Sequence, residues 1–227
     1  MKKITYLIYI SMLVFITSCE EIDNYEIADA TLQGKLTDAT GNPYITEQPN
    51  GFQIRMYEEG SPQPRDFWGK SDGTFRNTKI FSGNYKFLPI NGAFFPVTDT
   101  VKTVINGVTT VDFKIIPYAT VTATFTVNGK DLSAKYRINK ASGAGKISTA
   151  RVLLNKWNPI VGMNYSDKSA ARDLSKIDDA TIVATDYTDV ITGYLESGVT
   201  YYARVAVLAT NSLGKYNFSI VHKIVVP

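Results

Sequence analysis

From Thr120 to Val127 the chain alternates without a break, with Thr120, Thr122, Thr124 and Thr126 interleaved with Val121, Ala123, Phe125 and Val127. A repeat of two places every apolar side chain on one face of an extended strand, whereas a helix would scatter them around its circumference. The same period recurs in Phe52–Tyr57, where apolar and polar residues alternate, and in Tyr201, Ala203, Val205 and Val207, which share one parity. Turn chemistry separates these runs: Gly41-Asn42-Pro43, Asp72-Gly73, Ser82-Gly83-Asn84 and Asn211-Ser212-Leu213-Gly214. The 14 Tyr and 11 Phe fit the same picture, since aromatic rings pack well on a pleated surface. The expected fold class is therefore all-β, and 227 residues of which 44% are hydrophobic can fill two cores. Asn106-Gly107, between Val101–Ile105 and Val108–Ile116, predicts a tight hairpin because a type I′ turn needs positive φ at both central residues. One stretch departs from the pattern. The charged segment 166–179 predicts a single helical turn at Ala170–Leu174, capped by Asp167 or Ser169.

The first 18 residues, MKKITYLIYISMLVFITS, are a different kind of sequence. Two lysines, an uncharged apolar run from Ile4 to Ile16 and a small polar end have the anatomy of an export signal. The run is shorter than the ~20 residues that span a bilayer. Cys19 follows at once and is the single cysteine of the chain. A lone thiol cannot form an internal disulfide, so another role is expected. Ile16-Thr17-Ser18-Cys19 resembles a lipobox, which implies that residues 1–18 are removed and Cys19 is acylated and anchors the protein to a membrane. The competing reading is an ordinary signal peptide that ends near a cysteine. Residues 19–30, opening Glu20-Glu21-Ile22-Asp23, read as a short acidic tether. Acidic residues behind a lipidated cysteine resemble the surface-export signal of Bacteroidetes lipoproteins, which implies an outer-membrane, surface-facing location; a plain solvated linker is the alternative.

Residues 31–118 carry Gly34, Leu36, Asp38, Gly41 and Pro43, then Asp72, Gly73 and Phe75, then Gly83 and Tyr85. In that order they resemble the carboxypeptidase-regulatory-like, transthyretin-like domain, with a Pro-rich insert at Ser61-Pro62-Gln63-Pro64. In residues 119–227, Leu195-Glu196-Ser197-Gly198-Val199-Thr200-Tyr201 and the strand after it resemble the fibronectin type III signature, with Ser197 where proline is usual. The resemblance implies a structural role for Tyr201, its hydroxyl bonding back to nearby backbone. Together with Asp23-Asn24-Tyr25, the two-domain order resembles an uncharacterised family of Bacteroidetes surface lipoproteins. These resemblances imply two tandem β-sandwich domains behind the signal peptide and tether, and a place in nutrient uptake.

Catalytic chemistry finds little to build on. The one histidine, His222, lies in the last strand without an evident partner to orient it as a base. One His and a Cys committed to lipid leave no zinc-type ligand set, and Asp72-Gly73 lacks the acidic array of a calcium loop. A carboxylate pair of glycosidase type stays open in principle, but the acidic residues fall mostly in turns and tether. No catalytic residue, metal or cofactor is expected. Removing Lys2 and Lys3 with the leader lowers the net charge from +3 to +1, which gives no basic patch for nucleic acid.

Binding remains. Sugar rings present apolar faces that stack on aromatic side chains while polar loop residues meet the hydroxyls. Trp68, Trp157 and Tyr165, read as loop residues, are the candidate ligand contacts, and Phe94 and Phe95 are assigned to a core or interface. The expected function is a non-catalytic outer-membrane accessory in nutrient or glycan binding. A spacer or docking subunit of an outer-membrane transport complex, and a fimbrial or adhesive subunit, are the alternatives. The expected partners are the membrane through Cys19, transporter components and a glycan.

Overall fold

The computed structural model describes residues 26–227. The expected signal peptide, Cys19 and most of the expected acidic tether lie outside the described residues. The first eight strands are β1 (Ala30–Thr37), β2 (Gln53–Glu58), β3 (Arg65–Trp68), β4 (Thr74–Ile80), β5 (Gly83–Ile90), β6 (Val101–Ile105), β7 (Val108–Thr110) and β8 (Phe113–Lys114). They make two sheets, one ordered β4-β1-β7 with β8 also on β1, the other β3-β2-β5-β6. Alternation turns Leu32, Leu36, Phe75, Ile54, Phe87 and Ile105 into the space between the sheets, where all are buried. Phe94 packs in the same core, edge-on to Tyr44 at 5.4 Å between ring centroids.

Asn106-Gly107 does not close a hairpin. β6 runs antiparallel to β5 in one sheet, and β7 runs parallel to β1 in the other. Gly107 takes a positive φ of 61° but Asn106 does not, so the type I′ geometry is not formed, and the Gly107 carbonyl accepts from the Thr31 amide at 2.8 Å. A local turn preference is weak enough for strand pairing to override it. Here the free edge of β1 captures the second strand.

Residues from Ala119 onward form β9 (Ala119–Asn128), β10 (Asp131–Lys140), β11 (Ile147–Asn155), β12 (Lys168–Asp173), helix α1 (Asp179–Ala184), β13 (Asp186–Ile191), β14 (Thr200–Ala209), β15 (Tyr216–Phe218) and β16 (His222–Val225). Their sheets are β13-β10-β9 and β12-β11-β14-β15, with β16 also on β14. Leu132, Tyr136, Ile138, Val152, Tyr201 and Val205 are buried between them. The Tyr201 hydroxyl accepts from the Glu196 amide at 3.2 Å and donates to the Tyr194 carbonyl at 3.4 Å.

The helical turn expected at Ala170–Leu174 is instead strand β12, paired with β11 from Leu154↔Lys168 to Thr149↔Asp173. Ladder bonds to a long buried strand outweigh a weak local helix preference. The one helix among the described residues starts later, at Asp178, whose Oδ1 accepts from the Thr181 amide at 2.8 Å.

The two sandwiches are bonded together through buried polar groups. Asn217 on β15 donates from Nδ2 to the Ala93 carbonyl at 2.8 Å and accepts from the Ala119 amide at 3.1 Å. Arg204 on β14, 1% exposed, donates from Nη1 to the Thr46 carbonyl at 2.8 Å. Around it a small apolar cluster of Leu153, Val161, Ala206 and Phe218 takes in Ile45 of the first sandwich.

Candidate functional site

β2 turns Ile54 and Met56 into the core, so Gln53, Arg55 and Tyr57 face outward. The register then builds rows across the sheet. Trp68 of β3 lies beside Gln53, Asp66 beside Arg55, and Tyr57 beside Lys86 of β5, which in turn lies beside Lys102 of β6. Trp68 is 43% exposed and Tyr57 39%, separated by four residues along the strands, or about 14 Å. Trp68 is thus the last residue of a strand, contrary to its reading as loop. The Pro-rich insert that suggested a loop ends before Arg65, and pairing with β2 extends the next four residues. Gly69 follows because a side chain there would run into the Phe52 ring.

Hydrogen-bonding groups on this face are positioned from within the sheet. Asp66 receives Arg55 through two bonds, Nε to Oδ1 at 2.9 Å and Nη2 to Oδ2 at 2.8 Å. That fork satisfies both partners and raises the pKa of Arg55 above its ordinary value, the Asp66 hydrogen bond being the main cause. Asn91 donates to Gln53 Oε1 at 2.6 Å. At one corner Lys215 of the second sandwich donates to the Asn50 carbonyl at 2.6 Å and holds its ammonium 5.4 Å from the Trp68 ring centre. At the other end a groove of about 790 Å³ opens beside Tyr57, Lys86, Lys102 and Asn84.

Trp157 and Tyr165 lie together on the loop between β11 and β12, 75% and 41% exposed. Asn155 braces both arms of that loop. Its Oδ1 accepts from the Trp157 and Asn158 amides at 3.0 and 2.8 Å, and its Nδ2 donates to the Tyr165 carbonyl at 3.2 Å. The Lys156 ammonium, bonded to both Glu196 oxygens at 2.8 Å, sits 5.2 Å from the Trp157 ring centre. Trp68 is on a different sheet in the other sandwich, and no aromatic contact among the described residues links it to Trp157.

Tyr57 escaped the sequence reading although its signal was present: the Phe52–Tyr57 alternation puts it opposite Ile54 and Met56. Lys86 and Lys102 could not be placed beside it without the strand order. The His222 ring lies 5.2 Å from Phe125. Among the described residues there is no group of three His, Cys, Asp or Glu able to hold a metal, and no helix is long and apolar enough to cross a membrane.

The fold is similar to that of solved proteins from Bacteroides and Parabacteroides. The model of a family described as "Protein of unknown function (DUF3823) N-terminal domain" matches residues 30–116. A DUF3823 family protein from Bacteroides uniformis has the same fold at a TM-score of 0.78 and 23% identity, over 88% of this chain and 100% of that one. Another from Parabacteroides merdae gives 0.71 and 22%, over 86% and 98%. A Bacteroides uniformis protein described as a candidate carbohydrate binding protein gives 0.70 and 23%, over 87% and 99%. At these identities the likeness establishes the fold. No curated protein matches the chain.

Proposed function

We propose that this protein is a non-catalytic carbohydrate-binding accessory, held at the outer membrane through lipid on Cys19, with the outer face of the β3-β2-β5-β6 sheet as its binding surface. The observation that carries the proposal is the exposed pair Trp68 and Tyr57 on one sheet face, with the Arg55–Asp66 fork and the Gln53–Asn91 pair between and beside them. Aromatic rings supply burial and orientation for a sugar face, and fixed polar groups meet hydroxyls at little entropic cost. The carbohydrate-binding description of one structural neighbour supports the same reading.

Trp68→Ala should weaken glycan binding by about 1–3 kcal/mol, the scale of one lost aromatic anchor, without lowering the melting temperature. Trp157→Ala, on the separate loop, should leave the same binding unchanged. Iodide quenching gives an independent readout, because glycan should protect Trp68 fluorescence and leave Trp157 quenchable. Trp68→Ala binding as well as the wild type would remove the sheet face from consideration, and protection of Trp157 alone would move the site to the β11–β12 loop.

A second reading, a rigid spacer or docking subunit, draws on the bonds from Arg204, Asn217 and Lys215 that tie the sandwiches together. It requires no ligand, so a blank glycan array would leave it as the working function.

A further inference from the structure

The far end of the same face holds two positive charges that the fold does not neutralise. Lys86 and Lys102 are directly paired across β5 and β6, both exposed, and among the described residues neither forms an ion pair with a carboxylate. Like charges directly opposite one another destabilise a sheet. Lysine on an edge strand has an ordinary use, since it blocks pairing with a foreign strand. That explains Lys102, because β6 is the edge. It does not explain Lys86, which is on β5 with β2 on one side and β6 on the other.

Two carboxylates, Glu58 and Glu59, line the same groove, and each faces a partner other than the lysine pair. Arg55 spends its guanidinium on Asp66, and Glu59 accepts from Asn84 Nδ2 at 2.7 Å. Glu58 lies 4.0 Å from Arg65. The two lysines are the cations left over, and they stand in line with Tyr57 across three adjacent strands. Their alkyl stems and Val104, 61% exposed, give the groove an apolar floor beneath charged tips. A volume of about 790 Å³ lies within the range of pockets that hold small organic ligands.

We infer that the Tyr57–Lys86–Lys102 groove is a subsite for an acidic sugar, one bearing a carboxylate or sulfate group. The ring stacks on Tyr57 and the anionic group lies between the two ammonium groups. This rests on the carbohydrate-binding reading above and narrows it to a substrate class.

The test is an array of neutral, uronate-bearing and sulfated oligosaccharides, probed with the wild-type protein and with the Lys86→Gln/Lys102→Gln variant. Wild-type protein should retain acidic glycans, with the uronate and sulfate arms showing which group it prefers. The double variant should lose roughly tenfold or more in affinity for them, as expected for a charge-assisted contact. Higher salt should weaken the wild type in the same direction. Unchanged melting temperature and strand circular dichroism establish that the variant is folded. Binding confined to neutral glycans and dependent on Trp68 would overturn the acidic subsite and keep the carbohydrate reading. Acidic-glycan binding that survives the double substitution would also overturn it. A blank array for every glycan would overturn both.

Discussion

Arg204 of β14 donates to the carbonyl of Thr46 across the junction of the two sandwiches, while its guanidinium carbon rests 3.8 Å above the centre of the Phe218 ring. Nε and Nη2 find no protein acceptor, and burial pushes the guanidinium pKa down to about 10, with Glu47 acting the other way. A cation is therefore held inside the junction mainly by one carbonyl and one aromatic face. Its stem fills space, its tip satisfies Thr46, and its charge costs stability.

Those three contributions separate by substitution. Arg204→Ala removes stem and hydrogen bond together and should destabilise the protein by about 2–4 kcal/mol, the range for a cavity plus an orphaned buried carbonyl. Arg204→Met keeps the packing on Phe218 and discards the buried charge while also leaving the Thr46 carbonyl without its donor, so the two effects oppose and the loss should be clearly smaller than for alanine. Chemical denaturation measures both. Limited proteolysis around residues 43–51 should accelerate most in the alanine variant.

The Trp157 loop depends on a single side chain. Asn155→Ala releases two amides and one carbonyl at a position 8% exposed, and should cost about 1–3 kcal/mol. Faster proteolysis between residues 156 and 167 should accompany the loss. Asn155→Asp keeps the acceptor for the two amides and should recover part of the stability.

Alkaline conditions should unfold the first sandwich through its buried phenols. Burial pushes the Tyr44 hydroxyl up to about 12 from 10.0, hydrogen bonds with Thr46 and Ala93 opposing, and burial likewise raises Tyr85 to about 12. An unfolded chain loses these protons near 10, whereas the folded chain holds them to about 12, so the native state binds more protons across that window. Stability should be complete below pH 10 and fall as pH climbs toward 12. Phenolate absorbance should therefore rise in step with loss of strand circular dichroism, and Tyr44→Phe should flatten the slope. Simple, non-cooperative titration of every tyrosine near 10 would contradict it.

Cys19→Ala should abolish fatty-acid labelling and release the protein from the membrane fraction. Each buried methylene of an acyl chain contributes about 0.8 kcal/mol, so several chains anchor firmly and none anchors not at all. Membrane association that persists in the variant would show that another segment does the anchoring.

The elements legible in the sequence were those whose period reports a one-sided environment. β9 and β2 read directly as alternation because one face of each meets a core. Two local signals yield to strand pairing. Asn106-Gly107 fixed a backbone bend but could not say which strand would pair after it, and residues 168–173 had a faint helical look that the edge of β11 overrode. Trp68 was found as a candidate, yet its partners were not, since a row across a sheet joins residues more than ten positions apart. Arg204 shows the same limit in the core. Its parity in β14 sets it opposite Ala203 and Val205, as a solvent-facing arginine would be, and Phe218 together with the Thr46 segment of the first sandwich covers it.

The passage of residues 105–108 from one sheet to the other also governs the order in which the first sandwich can be completed. β1, the earliest strand, is flanked by β4 on one side and by β7 and β8 on the other. The side chain of Asp112 closes the same gap, accepting from the Lys35 amide across 77 positions. A chain growing from its N-terminus can zip β2 to β3 early, because eleven positions separate Arg55 from Asp66. It cannot cover the second edge of β1 until Lys114 has emerged. That edge is an open template for pairing in the interval, and closing so long a loop carries an entropic cost that short-range hairpins avoid. The last strands of the domain therefore act as its latch, and a first sandwich ending at Ile105 would keep most of its own buried hydrophobic residues while leaving its first strand without a neighbour on one side.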